Sequence, residues 1–149
     1  MALSERHQKM SDVWDEHTYQ EFAMASAEAA VQTLTDDASV TIVPLGVSVS
    51  GKPNVFAYYR DSMVCAIPPD MSATRLSRTI NDERIVDEIS FTFTHTLELP
   101  WILPGLAPTG RTITLAHVVV VDFRGDLISA ERVYWDQDSV YRQAGVALR

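Results

Sequence analysis

A stripe of Val13, His17, Met24, Ala27, Val31 and Leu34 recurs at helical spacing and predicts a first helix over Ser11 to Leu34, with Ser11 or Asp12 as N-cap. Thr35-Asp36-Asp37 breaks it, and Val40 to Val43 reads as a short strand stopped by Pro44. A loop carrying Gly46 and Gly51 follows. Pro53 suits the first turn of a second helix, in which Val55, Tyr59, Ser62, Met63 and Ala66 share one face until Pro68-Pro69. The period then drops to two. Strands are expected over Met71 to Ile80, Ile85 to Leu97, Arg111 to Phe123 and Leu127 to Trp135, with turns at Asn81-Asp82-Glu83 and Arg124-Gly125-Asp126. Helices first and antiparallel strands after predict an α+β fold, a curved antiparallel sheet wrapped around the N-terminal helices as a cone. A single domain over residues 1–149 is expected, since no linker or repeat interrupts the pattern.

Alternation also sorts side chains by face. In Ile85 to His95 the apolar face of Ile85, Ile89, Phe91 and Phe93 carries two polar residues, Asp87 and His95. In the strand ending at Phe123, His117 shares a face with Leu115, Val119 and Val121. Two histidines are therefore expected to converge on one interior from neighbouring strands. His17 lies on the apolar stripe of the first helix beside Trp14, and Tyr59 on that of the second, so each is a candidate to reach the same cavity. The opposite face of the strand before Phe123 is apolar as well, through Ala116, Val118 and Val120. Two helices cover one side of a sheet, so a homodimer is expected to cover the other. The loop Leu99 to Gly110 is strongly apolar and predicts either a lid, with Trp101 at the cavity mouth, or a packing surface.

Charge narrows the partners. Twenty acidic against twelve basic residues give a net charge of −8, which disfavours nucleic acid and anionic membrane surfaces. No apolar run approaches a membrane span, the polar N-terminus has no signal-peptide core, and one cysteine, Cys65, cannot form an internal disulfide. A cytoplasmic protein is the expectation. Gly-rich phosphate loops, nucleophile elbows and zinc pairings are missing from the sequence, so no cofactor is expected. His17 and Glu21 stand four apart on a helix, a spacing that permits a metal, but no third ligand is in view and none is expected.

The chain closes on Glu131-Arg132-Val133-Tyr134-Trp135-Asp136, an aromatic strand ending in an acid, followed by a helix from Gln137. This succession resembles the closing element of SnoaL-like proteins, the polyketide-cyclase branch of the nuclear-transport-factor-2-like fold. The resemblance implies that Asp136 is the acid/base that moves a substrate proton, and it leaves open whether Asp136 instead caps the helix. Catalytic candidates are thus Asp136, His95 and His117. Trp14, His17, Tyr59, Asp87, Trp101 and Tyr134, which shares the parity of Asp136, are the substrate-binding candidates. The implied activity is proton transfer in an apolar pocket, most simply aldol closure of a small apolar or aromatic carbonyl-bearing substrate. A dehydratase, isomerase or hydrolase using His95 and His117 is the alternative, and a non-catalytic binding or assembly module another. The Asp-Arg-Asp arrangement of the limonene epoxide hydrolases is not evident in the sequence.

Overall fold

The computed structural model describes residues 2–147. Helix α1 runs over Glu5–Phe22, capped by Ser4, whose hydroxyl accepts from the His7 amide. It starts earlier and stops sooner than its apolar stripe suggests. The chain turns at Ala25, a non-glycine residue at φ 50°, and Ser26 caps a separate short helix, α2, Ala27–Ala30. A 3₁₀ turn, Val31–Thr33, leads into β1, Leu34–Ile42. The expected glycine loop holds a short edge strand, β2, Val47–Ser50. Helix α3, Lys52–Tyr58, widens into a π turn over Tyr59–Met63. Both ends of that turn, Tyr59 and Met63, are buried and face the interior.

Strands β3, Ser72–Ile80, β4, Arg84–Thr94, β5, Thr112–Arg124, and β6, Leu127–Trp135, form a meander close to the expected bounds, and α4, Gln137–Gln143, closes the chain. The six strands make one sheet in the order β2-β1-β6-β5-β4-β3. All pairs are antiparallel except β1 with β6, which run parallel. Strands so far apart in sequence leave no local signal of that pairing.

The concave face of β4 and β5 carries the residues that parity assigns to it: Ile85, Asp87, Phe91 and Phe93, then Ile113, Leu115, His117, Val119, Val121 and Phe123, are all buried. The apolar loop after β4 folds into the same subunit. Leu99, Ile102 and Leu103 are fully buried, Trp101 donates its indole N–H to the Ala66 carbonyl at 2.8 Å, and Gln137 Nε2 donates to the Ile102 carbonyl at 2.9 Å. This loop plugs one end of the cone. On the convex face Val118 and Val120 are half-buried, while Tyr134 is exposed. Among the described residues no helix is long and apolar enough to cross a membrane.

Candidate functional site

A cavity of about 240 Å³ opens between α1, the π turn and the concave face of the sheet. Its walls are mainly aromatic and aliphatic, with Trp14, Phe22, Phe91, Trp101 and Trp135 supplying the rings. The indole N–H groups are committed elsewhere: Trp14 donates to Asp87, Trp101 to Ala66, and Trp135 to Gln137. Polar chemistry therefore falls to three places on the wall.

The first is His117, midway along β5 and 4.5 Å from the Phe91 ring, centroid to centroid. Its Nδ1 is buried with no hydrogen-bond partner among the described residues, so Nε2 is the nitrogen through which the ring meets the cavity. Burial lowers its pKa to about 4, with the Asp87 charge opposing the shift. The imidazole is neutral at physiological pH.

The second joins α1 to the edge of the sheet. Asp87, 1% exposed, accepts from Arg78 Nε and Nη2, both at 2.7 Å, and from Trp14 Nε1 at 2.9 Å. Arg78 Nη2 also donates to Asp15 at 2.8 Å, and Arg75 Nη1 reaches Asp15 at 3.3 Å. A guanidinium thus bridges a buried and an exposed carboxylate, the Asp-Arg-Asp arrangement that spacing along the chain conceals because Asp15 comes from a helix and the others from paired strands. Nη1 of Arg78 takes no part in these contacts.

The third place is the floor. His17 Nε2 lies 2.9 Å from Oε1 of Glu21, one turn along α1, and 2.9 Å from Oε1 of Glu131 on β6. The Tyr59 hydroxyl donates to Glu131 at 3.0 Å and stands 3.2 Å from His17 Nε2. Behind the ring, Nδ1 meets the Ala30 carbonyl at 3.1 Å and the Thr33 hydroxyl at 2.7 Å, and Trp14 stacks on its face. Burial opposes a charge on His17, yet the two carboxylates outweigh it and hold the pKa well above the usual value. Burial raises the Glu21 pKa and pushes the Tyr59 phenol well up. Glu21, Tyr59 and Glu131 line the cavity, with His17 directly behind them.

Of the sequence candidates, Trp14, Tyr59, Asp87, Trp101 and His117 line this cavity and His17 supports its floor. Three do not belong to it. Asp136 caps α4, accepting from the Ser139 amide at 3.1 Å, with 68% of its side chain exposed. Tyr134 lies on the convex face, 43% exposed. His95 is fully buried at the rim beneath the loop, where its Nδ1 contacts the Thr109 hydroxyl at 3.1 Å, and it does not line the cavity.

A β-bulge explains the first two. A two-residue turn at Gly125-Asp126 with unbroken pairing would set Val121 opposite Ala130 and turn Ala130, Arg132 and Tyr134 inward. Instead Phe123 pairs with Ile128 and Asp122 with Ala130, leaving Ser129 as an extra residue. One extra residue reverses the faces of the strand beyond it. Val121 therefore meets Glu131, Val119 meets Val133, and His117 meets Trp135. Glu131 is the acid on the final strand that faces the interior. Sequence reasoning missed it, and the only signal was that Glu131 shares parity with Val133 and Trp135 rather than with Arg132.

The model of the SnoaL-like domain family matches residues 9–131. The chain belongs to this family. No curated protein sequence matches it. Among solved structures it is similar to a protein from Jannaschia sp. CCS1 assigned as a SnoaL-like polyketide cyclase, at 12% identity and TM-score 0.76, covering 99% of both chains. It is similar to a hypothetical protein of ketosteroid isomerase-like fold from Catenulispora acidiphila DSM 44928, at 12% identity and TM-score 0.70, covering 91% of this chain and 94% of that one. It also resembles SalBIII, an epoxide hydrolase/cyclase-like enzyme of pyran ring formation in salinomycin, at 16% identity and TM-score 0.66, covering 89% and 94%. At these identities the likeness establishes the SnoaL-like, nuclear-transport-factor-2-like fold.

Proposed function

We propose that this SnoaL-like protein is an acid/base enzyme that moves a proton next to the carbonyl of a small, largely apolar substrate, as in cyclisation by aldol closure or in isomerisation. The observation that carries this reading is His117: it lines the cavity, and its environment offers Nδ1 no partner and disfavours the charged ring. In the tautomer that carries the ring's own proton on Nδ1, the bare Nε2 facing the ligand takes the substrate proton, and a pKa of about 4 puts it in the range of the carboxylate bases that serve ketosteroid isomerisation. Asp87 supplies the negative charge that favours the transient imidazolium. The enolate oxygen needs a cationic donor, and the uncommitted Nη1 of Arg78 is one that the wall provides.

Exchange of substrate α-protons into D₂O, followed by NMR across a panel of β-diketones and cyclic ketones, tests this. The wild-type chain is expected to exchange at least one class, and His117→Leu to lower that rate by about 100-fold or more. An unchanged rate in His117→Leu overturns the reading.

A second reading rests on the Asp15–Arg78–Asp87 bridge, which fits addition of water to an epoxide: one carboxylate takes a proton from the water as its oxygen bonds to an epoxide carbon, while the other, entering as the protonated acid, gives its proton to the oxygen of the C–O bond that breaks. SalBIII is described in related terms. Turnover of an epoxide that survives in His117→Leu but not in Asp15→Asn separates the two. The proposal includes the homodimer, supported by the half-buried Val118 and Val120 of the convex face. Elution at the monomer mass at micromolar concentration counts against it.

A further inference from the structure

The geometry points to a divalent-cation site on the cavity floor, formed by His17 Nε2, Glu21 and Glu131. It stands apart from the His117 reading and uses none of its groups. The sequence offers only His17 and Glu21; the fold brings Glu131 on β6 to the same nitrogen.

Two observations carry the assignment. First, the Ala30 carbonyl behind the ring can only accept, so it fixes the proton of a neutral His17 on Nδ1 and turns the Nε2 lone pair toward two carboxylate oxygens. Three electron-pair donors within 4.8 Å of one another suit a cation held between them in place of the proton. Second, the spacing fits. Ligands about 2.1 Å from a metal and at right angles around it lie about 3.0 Å apart, whereas tetrahedral ligands lie about 3.4 Å apart. Both nitrogen-to-oxygen separations here are 2.9 Å.

A six-coordinate first-row cation such as Mn²⁺ or Fe²⁺, with Zn²⁺ also accepted by the donor set, matches one imidazole and two carboxylates. The Tyr59 hydroxyl is the nearest further oxygen. The Trp14 stack and the Thr33 hydroxyl fix the ring from behind, as supporting groups do around metal-bound histidines. Because Glu21, Tyr59 and Glu131 line the cavity, a cation can enter from it and meet a ligand's oxygen there.

The test uses the full chain, stripped with EDTA and titrated with Mn²⁺ by electron paramagnetic resonance and with Zn²⁺ by calorimetry. One equivalent is expected to bind and to raise Tm, with affinity reduced at least tenfold in Glu21→Gln and in Glu131→Gln and unchanged in His117→Leu. Circular dichroism confirms that the volume-conserving Gln variants are folded, and the wild-type titration stands by itself if one is not. Failure of the wild-type protein to bind either cation at millimolar concentration overturns the site, as does equal binding by both folded variants.

Discussion

His17 and His117 are both buried beside one cavity, yet their surroundings are opposite. Every nitrogen of His17 has a protein partner, an aromatic ring stacks on its face, and two carboxylates favour its charge. His117 lies against the Phe91 ring with an unpaired nitrogen, and its charge is disfavoured. A polar group fully satisfied by its own protein is part of the scaffold or of a bound ion. One left unsatisfied at a cavity wall is maintained against a stability cost, and such a cost points to a ligand.

The comparison breaks first at stability. His17→Ala in the metal-free protein leaves two carboxylates buried without their counter-charge and is expected to cost about 3–5 kcal/mol by urea denaturation. His117→Leu, which replaces an unpaired polar ring by an apolar side chain among apolar neighbours, is expected to change stability by less than about 1 kcal/mol or to increase it. Equal losses at the two positions would remove the distinction.

Acid sharpens it next. The folded pKa of His117, about 4, lies below the unfolded value of 6.5. As pH falls below 6.5 the unfolded chain takes up a proton that the folded one does not, so stability drops until about pH 4 and this group contributes no slope above neutrality. The shift corresponds to about 3 kcal/mol across that window. Since other groups titrate there too, the quantity to measure is wild type minus His117→Leu, and a difference independent of pH between 4 and 7 would show that His117 is not held neutral.

How far these two environments are legible in the sequence depends on distance along the chain. Parity in β4 and β5 places Asp87 and His117 correctly because unbroken apolar alternation marks one face. The same parity puts His95 inward, but β4 ends at Thr94 and the loop covers the histidine beyond it. The stripe of the first helix continues in phase past the break at Ala25 and hides it, although Ser26 with its capping bond to Ala29 is a local sign of a new start. His17 and Glu21 are visible as a pair one turn apart. Glu131 is not, since its direction rests on a single extra residue, Ser129, and on a parallel pairing of β6 with β1 that no short-range pattern encodes.

The smallest expected effect decides between the two acids of the closing strand. With the bulge in place, Asp136 serves α4 through one capping bond, and Asp136→Ala should cost about 1 kcal/mol, seen as a small fall in Tm. It should leave α-proton exchange and cation binding as they are in the wild type, because Asp136 is 68% exposed and outside the cavity. Glu131→Gln should instead weaken cation binding, whatever it does to stability. A folded Asp136→Ala protein that has lost proton exchange would mean that β6 pairs without its bulge, with Asp136 turned inward and Glu131 out. The floor assembled around His17 would then have to be given up together with the register, since one extra residue at Ser129 supports both.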